Sequence, residues 1–114
     1  VFLCQESGFA HRVAGELLDR KLKVVDLSAD FRLTDPAAHE AAYGFPRPTL
    51  SDVAVYGLPE LVAHDAYDGK SLVANPGCHP TAAALALAAL ARSGVIRGVP
   101  VIDSMTGVSG AGRA

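Results

Sequence analysis

The first part of the chain alternates between short apolar runs and one amphipathic run, and this alternation constrains the fold more than any other feature. Residues 1–4 and 23–27 are apolar runs of the length typical of buried strands. Between them, Ser7 is placed to cap a helix whose apolar stripe recurs at helical spacing and consists of Phe9, Ala10, Val13, Ala14, Leu17 and Leu18. A strand, helix, strand unit joins its strands in parallel through a right-handed crossover. The sequence therefore predicts an α/β fold built on a parallel sheet.

A proline-rich stretch separates this unit from the next predicted strand. Residues 33–69 carry most of the prolines and all three tyrosines, so most of this stretch is predicted to be irregular. Within it, the pair Asp35-Pro36 is typical of a helix cap and first turn, which predicts a short helix through Tyr43. Residues 71–74 are again apolar, and we predict a further strand there.

A long apolar helix dominates the rest of the pattern. Residues 81–92 are predicted to be helical, with Pro80 in the first turn, where its missing N–H is tolerated. Because residues 82–91 are apolar on every face, we expect this helix to be buried centrally. Gly94 should end it, residues 99–102 should form another strand, and the glycine-, serine- and threonine-rich remainder should form a loop.

Composition and charge exclude several classes of protein. Half of the 114 residues are apolar and 19% are charged, which is typical of a globular protein with one modest core. The net charge is −2 at pH 7 without a basic patch, so we expect no nucleic-acid partner. The longest apolar run falls short of the roughly 20 residues that span a bilayer, and we recognise no signal peptide. We therefore expect a cytoplasmic protein that does not bind membranes.

Cys78 is the strongest candidate for a reactive group. The two cysteines, Cys4 and Cys78, lack the spacing of a disulfide framework or of a zinc site, so no metal is predicted. Cys78 lies between a strand end and a helix start, where unpaired backbone N–H groups stabilise a thiolate and can accept an oxyanion. The alternative is a small packed residue, as for most free cysteines. The stiff Pro76 and the flexible Gly77 directly before the sulfur favour a catalytic role for Cys78. Cys4 lies in an apolar run, and we interpret it as a packed residue.

Four segments, in order along nearly the whole chain, resemble the N-acetyl-gamma-glutamyl-phosphate reductase family of arginine biosynthesis. They are Val25-Asp26-Leu27-Ser28-Ala29-Asp30-Phe31-Arg32-Leu33, Tyr56-Gly57-Leu58-Pro59-Glu60-Leu61, Ala74-Asn75-Pro76-Gly77-Cys78-His79-Pro80-Thr81-Ala82 and Gly107-Val108-Ser109-Gly110-Ala111-Gly112-Arg113. The resemblance implies the end of a Rossmann-type NADP-binding domain over residues 1–75 and the start of an α+β catalytic domain over residues 76–114. It also implies an internal fragment, with the family's glycine fingerprint upstream and its catalytic histidine downstream.

The resemblance implies a two-step reaction on Cys78. The thiolate displaces phosphate from N-acetyl-glutamyl 5-phosphate, and NADPH then delivers hydride to the thioester to give N-acetyl-glutamate 5-semialdehyde. A thioester accepts hydride better than a carboxylate does, and the covalent link holds the acyl carbon beside the nicotinamide.

The resemblance also implies roles for other residues. Arg32, at a strand end, is expected to bind the substrate phosphate, although a solvated charge is the alternative. Asn75 is expected to orient the substrate, although Asn-Pro-Gly is also an ordinary turn. Glu60 is the expected polar contact from its segment. The expected cofactor contacts are Ser28, Thr106, Gly107, Ser109 and Gly110, with a plain flexible loop as the alternative for the last four.

Two positions depart from the family pattern. Gln5-Glu6-Ser7-Gly8 stands where Pro-His-Gly is usual, and Thr106 stands where serine is commoner. We therefore assign no cofactor contact to residues 5–8. His79 receives no catalytic role, because adjacent side chains on a helix point about 100° apart.

Other functions fit parts of the sequence. A reductase of a related acyl phosphate, such as aspartyl or carrier-linked aminoadipyl phosphate, would use the same chemistry. A thiol hydrolase would use Cys78 with a nearby base and would release the acyl group to water without a cofactor. A dinucleotide-binding scaffold would keep Cys78 only for packing. We also expect a homo-oligomer.

Overall fold

The computed structural model describes residues 1–111, and in these residues four parallel strands form one sheet. The strands are β1 (Phe2–Leu3), β2 (Val24–Asp26), β3 (Val55–Tyr56) and β4 (Leu72–Ala74), in the order β1-β2-β4-β3. Val25 of β2 lies opposite Phe2 on one side and Val73 on the other. The parallel pairing confirms the predicted α/β fold of Rossmann type.

The first helix, α1 (Ala10–Asp19), packs its predicted apolar stripe on the sheet. Ala10 and Ala14 are only 1% and 0% exposed, since small residues let the helix approach the sheet closely. The core beneath the helix consists of Leu3, Val24, Phe31, Leu72 and Ala74. The strand, helix, strand prediction for the first 27 residues is therefore confirmed.

The amino end of α1 differs from the prediction. Ser7 does not cap the helix, and Phe9 at the N-cap position provides no side-chain acceptor. The carboxylate of Asp30 takes this role instead: its Oδ1 accepts from the backbone N–H of Gly8 at 2.6 Å and its Oδ2 from that of His11 at 2.9 Å. A charged carboxylate is a stronger acceptor than a hydroxyl at the positive end of a helix.

The middle of the chain contains the predicted helix and an unpredicted strand. The helix α2 spans Pro36–Tyr43, and the Asp35 side chain accepts from the backbone N–H of Ala38 at 2.6 Å, as the capping prediction required. The prediction of irregular structure is wrong at β3, which pairs with β4. With two residues, β3 is too short for an alternating pattern to reveal it, and the pairing with β4 alone makes it a strand.

The last helix, α3, spans Cys78–Arg92 and so begins three residues earlier than predicted. Gly94 follows it with a φ of 70°, as expected for a glycine after a helix end. The prediction of central burial is wrong: none of the residues of α3 is buried, and Leu90 is 46% exposed. An apolar helix is buried only where other elements cover it, and the described residues provide no such cover.

The predicted strand at residues 99–102 is also wrong. These residues form no ladder with the described strands, and Val99 and Val101 are 93% and 92% exposed. An apolar run becomes a strand only when a neighbouring strand takes up its backbone hydrogen bonds. The domain boundary predicted between residues 75 and 76 stays a prediction.

Candidate active site

The candidate site lies at the carboxyl edge of the sheet, where the segments that follow β2 and β4 meet. Ligands of open parallel sheets bind at this edge. Arg32 reaches it from the β2 side and contacts Asn75, which directly follows β4. Cys78 follows three residues later at the start of α3. The fold thus brings together three residues that the sequence predicted for the site.

Cys78 occupies the first position of α3, and its side chain is exposed. Gly77 at the N-cap provides no side-chain acceptor, and Pro80 has no N–H. The backbone N–H groups of Cys78 and His79 therefore have no acceptor among the described residues. The hydroxyl of Thr81 donates to Gly77 O at 2.8 Å and closes the first turn. Cys78 therefore lies at the positive end of the helix dipole, a position that favours a negatively charged ligand group.

The guanidinium of Arg32 binds backbone at the ends of two strands. Its Nε donates to Asn75 O at 2.8 Å, and its Nη2 donates to Leu27 O at 2.8 Å. Its Nη1 lies beside Gly77, since a Cβ added to that glycine would be 3.2 Å away. These two bonds use the single N–H of Nε and one N–H of Nη2, so among the described residues both N–H groups of Nη1 are left for a ligand. The predicted phosphate contact stays a prediction.

Asn75 is held mainly through its backbone. Its N–H donates to Asp26 O at 2.8 Å, and its side-chain Nδ2 donates to Pro76 O at 3.0 Å. The second bond is local and stabilises the turn, while the side-chain oxygen has no donor among the described residues. The substrate contact of Asn75 stays a prediction, and the side-chain oxygen is the atom that would make it.

A cavity of about 300 Å³ opens beside Cys78. It is lined by Cys78, His79, Ala82, Ser104, Met105, Thr106 and Gly107. Two of the predicted cofactor contacts, Thr106 and Gly107, therefore line the same cavity as Cys78. A hydrogen bond between His79 Nδ1 and Ser104 Oγ joins the loop to α3. Sequence reasoning missed this pair, because no local spacing connects residues so far apart.

The glycines of this loop serve different purposes. A Cβ added to Gly107 would meet nothing within 4 Å, so the space beside its backbone is open. A Cβ added to Gly110 would collide with the hydroxyl oxygen of Thr106, so a larger residue there would require the Thr106 side chain to move. The side chain of Ser109 and residues 112–114 lie outside the described part of the chain. The cofactor contacts of Ser109 and Gly110 stay predictions.

Ser28 faces the interior and is 6% exposed. Its hydroxyl donates to Asp26 Oδ2 at 2.8 Å and accepts from the backbone N–H of Asp30 at 3.3 Å. The only hydrogen of the hydroxyl is therefore already used. A cofactor contact by Ser28 stays a prediction, and this arrangement does not favour it.

Asp26 and Asp30 are both fully buried, yet their pKa values move in opposite directions. Burial raises the pKa of Asp26, against the lowering effect of the hydrogen bonds from Ser28. Burial also acts to raise the pKa of Asp30, but hydrogen bonds from Gly8 and His11 outweigh it, so that this pKa is lowered. Asp30 is thus the carboxylate that the fold stabilises in its charged form.

Glu60 lies away from Cys78. Its backbone oxygen accepts a long hydrogen bond of 3.5 Å from Arg92 Nη2. Arg92 is the last residue of α3, about 21 Å from Cys78 along the axis at about 1.5 Å per residue. The structure does not bring Glu60 to the sulfur, and its substrate contact stays a prediction.

The second cysteine contrasts with the first. Cys4 lies just past the end of β1 and is exposed, so its predicted packing role is wrong. The apolar run ends with a strand of only two residues, and Cys4 falls outside the sheet. It provides a matched control thiol for experiments on Cys78.

A second cavity, of about 360 Å³, lies at the amino end of α1 in the segment that departs from the family pattern. It is lined by Gln5, Glu6, Ser7, Gly8, Phe9 and Arg12. The N–H groups of Gly8 and His11 already bind the carboxylate of Asp30, so they cannot serve a cofactor phosphate.

Residues 1–111 contain no group of three or more histidine, cysteine or acidic side chains arranged to hold a metal ion. None of the helices in this part of the chain combines the length and apolar character needed to cross a membrane.

Two family models together match most of the chain. The NAD-binding domain of the semialdehyde dehydrogenases matches residues 1–68, and the dimerisation domain of the same enzymes matches residues 78–114. The first model alone covers more than half of the chain.

Curated relatives agree with these matches. The N-acetyl-gamma-glutamyl-phosphate reductase of Halorhodospira halophila is 50% identical over 117 residues, which cover 100% of this chain and 34% of the relative. The reductase of the same name from Thermus thermophilus is 51% identical over 115 residues, covering 99% of this chain and 32% of the relative. That from Pseudomonas aeruginosa is 48% identical over 116 residues, covering 99% and 33%. The chain spans about a third of the length of these relatives. It belongs to the semialdehyde dehydrogenase family, with residues 1–68 in the NAD-binding domain.

Proposed function

We propose that the protein reduces N-acetyl-glutamyl 5-phosphate to N-acetyl-glutamate 5-semialdehyde, with NADPH as reductant and Cys78 as the acyl carrier. The observation that carries this proposal is the position of Cys78. Its exposed sulfur lies at the first residue of α3, beside the N–H groups of Cys78 and His79 and at the wall of the cavity that Thr106 and Gly107 line. The names of the relatives support the substrate.

The first step uses groups of this chain. The Cys78 thiolate attacks the acyl carbon, the carbon–oxygen bond to phosphate breaks, and inorganic phosphate leaves as the thioester forms. The N–H groups at the start of α3 stabilise the oxyanion of the tetrahedral intermediate. Nη1 of Arg32, on the Gly77 side of the guanidinium, is the donor proposed for the departing phosphate.

The cavity beside Cys78 fits the reactive end of a nicotinamide cofactor. Ligand sites usually measure about 300 to 1,000 Å³, so this space suits one ring and not a whole dinucleotide. The open space beside Gly107 lets a flat ring approach the backbone. Thr106 and Gly107 would hold the ring near the sulfur. When bound, the reduced cofactor supplies the hydride that converts the thioester to the aldehyde.

The assembly and the location belong to the same proposal. We infer a homo-oligomer, and the match of residues 78–114 to a dimerisation domain supports it. The exposed apolar surface of α3 is consistent with further protein packing on this helix. The cytoplasmic location stays a prediction from the sequence.

Cysteine substitutions in the full-length protein test the function. Cys78→Ser should lower the NADPH-dependent turnover of N-acetyl-glutamyl phosphate by at least about a thousandfold, because a hydroxyl at this position is a far weaker nucleophile. Cys4→Ser removes the other exposed thiol of this chain and should leave turnover unchanged. Undiminished turnover in Cys78→Ser would refute the covalent mechanism.

Substrate and cofactor comparisons separate the alternatives. Faster turnover of aspartyl or carrier-linked aminoadipyl phosphate would assign the protein to a related reductase. Release of the free acid without NADPH oxidation would identify a thiol hydrolase. Cofactor binding without turnover of any acyl phosphate would identify a scaffold.

A further inference from the structure

The hydrogen-bond ladder between β2 and β4 stops at the candidate site. Along the ladder, Val24 N donates to Ser71 O and Asn75 N donates to Asp26 O, each at 2.8 Å. The next bond of a regular parallel ladder would run from Ser28 N to Asn75 O. Instead, Ser28 N donates to the carboxylate of Asp26 at 3.0 Å. The carbonyl of Asn75 is therefore left without its ladder donor.

The Nε of Arg32 takes the place of this missing donor, at 2.8 Å from Asn75 O. Its Nη2 binds Leu27 O, also at 2.8 Å, so one rigid guanidinium plane joins the chain after β2 to the chain after β4. An unpaired carbonyl in a half-buried turn is costly, and a charged donor satisfies it better than a neutral one.

The guanidinium also lies against the residue that precedes Cys78. A Cβ added to Gly77 would be 3.2 Å from Nη1 of Arg32 and 3.3 Å from Cδ of Pro80. Gly77 has a φ of −70°, so its conformation is open to any residue, and the close approach of Arg32 and Pro80 is what favours a glycine here. The guanidinium of Arg32 therefore packs directly on the turn that precedes Cys78.

We propose that Arg32 is a positioning residue for Cys78. Its fork holds the Asn75 carbonyl and the Asn75-Pro76-Gly77 turn, and so directs the first turn of α3 and the sulfur before any substrate binds. The planar fork is required, because a lysine ammonium cannot reach both carbonyls in one fixed geometry. This role deepens the proposed function, but it concerns the free protein and can be measured without the reaction.

The test uses the full-length protein without substrate or cofactor. The rate of alkylation of Cys78 by iodoacetamide, a neutral reagent, is followed by mass spectrometry of the peptide that contains it. Arg32→Lys keeps the charge and loses the fork, and we expect the rate to fall by roughly tenfold, the effect of about one lost charge-assisted hydrogen bond. Arg20→Gln, which removes an exposed arginine of α1, should leave the rate unchanged.

A second variant reaches the same contact from the other side. Gly77→Ala places a Cβ against the guanidinium and Pro80, which must move by a few tenths of an ångström, and should lower the alkylation rate by less than Arg32→Lys does. The double variant should show little loss beyond that of Arg32→Lys, because both changes act on one contact. Thermal unfolding identifies any variant that misfolds. If Arg32→Lys misfolds, the alkylation rate of Gly77→Ala decides whether Arg32 positions Cys78. An unchanged rate in the folded variants overturns the positioning role.

Steady-state kinetics of Arg32→Lys, compared with its alkylation rate, separate a role of Arg32 in binding phosphate from its role in positioning Cys78. A higher KM for the acyl phosphate with an unchanged alkylation rate would make Arg32 a phosphate ligand only and would overturn the inference. Slow alkylation in Arg32→Lys together with full turnover in Cys78→Ser would instead uphold the positioning role and refute the proposed function.

Discussion

α1 and α3 each follow a strand of the same parallel sheet, and their amino ends differ in what occupies the backbone N–H groups. At α1 the protein provides its own anion, because the carboxylate of Asp30 binds Gly8 N and His11 N. At α3 the N-cap is Gly77, which has no side chain to bind the open N–H groups. The comparison shows that a helix amino end becomes a candidate anion site only where the fold leaves it open.

The largest expected effect comes from removing the internal anion. Asp30→Ala leaves the partly buried backbone N–H groups of Gly8 and His11, at the amino end of α1, without their acceptor, and we expect the free energy of unfolding to fall by about 2–3 kcal/mol. Chemical denaturation of the full-length protein measures this change. The exposed Asp19, also on α1, provides the control, since Asp19→Ala should change stability by less than about 0.5 kcal/mol.

Asp30→Ala also tests whether the amino end of α1 can bind an external anion once its internal one is removed. If Asp30→Ala opens the amino end of α1, added sulfate should raise its melting temperature more than it raises that of the unsubstituted protein. Equal sulfate effects in the two proteins would contradict the idea that Asp30 fills an anion site.

A smaller effect is expected in the reactivity of the two exposed thiols. At neutral pH, iodoacetamide should modify Cys78 about tenfold faster than Cys4, because Cys78 lies beside open backbone N–H groups at the start of a helix and Cys4 does not. Cys4 follows β1, where Asp30 already occupies the neighbouring helix end. Peptide-resolved mass spectrometry gives both rates in one sample, and equal rates would remove the distinction between the two helix ends.

The smallest effect should appear in acid. The folded-state pKa of Asp30 is lowered from its ordinary value of 3.8, so its stabilising contribution is present above that value and is lost as the pH falls below it and through the lowered folded-state pKa. Asp30→Asn should therefore lose less stability than the unsubstituted protein between neutral pH and about pH 3. Melting temperatures across this range test the prediction. An identical acid dependence in both proteins would show that Asp30 does not stabilise the fold as an anion.

Asp26 should show the opposite dependence. Burial raises the folded-state pKa of Asp26 above its ordinary value of 3.8. Its contribution to stability is therefore present below pH 3.8 and is lost as the pH rises through the raised folded-state pKa. The two aspartates lie four residues apart, and their opposite signs limit the net acid effect of the pair.

Local pattern was sufficient for several elements and failed for others. The spacing of apolar residues predicted α1, and the pair Asp35-Pro36 predicted α2, because each signal lies within a few residues. The same kind of reasoning missed β3 and wrongly predicted a strand at 99–102, because a short strand is defined by the partner with which it pairs. It also predicted central burial for α3, although burial depends on what covers a helix.

For the site, the sequence indicated the residues but not their contacts. Cys78 at a helix start followed from the strand, turn and proline around it. Arg32 was expected at the sheet edge as a phosphate ligand, and its two bonds to backbone carbonyls were not foreseen. The pair of His79 and Ser104 left no signal, since the two residues are 25 positions apart.

By itself, the sequence determined the α/β class, the helix and strand order of the first unit and the position of Cys78 at the start of a helix. Periodicity and turn chemistry act over a few residues, so they can be read locally. Only the tertiary structure decided which helix end receives an internal anion and which backbone carbonyl Arg32 holds. Those contacts join residues 22 and 43 positions apart, and they exist only because parallel strands place their carboxyl ends at one edge of the sheet.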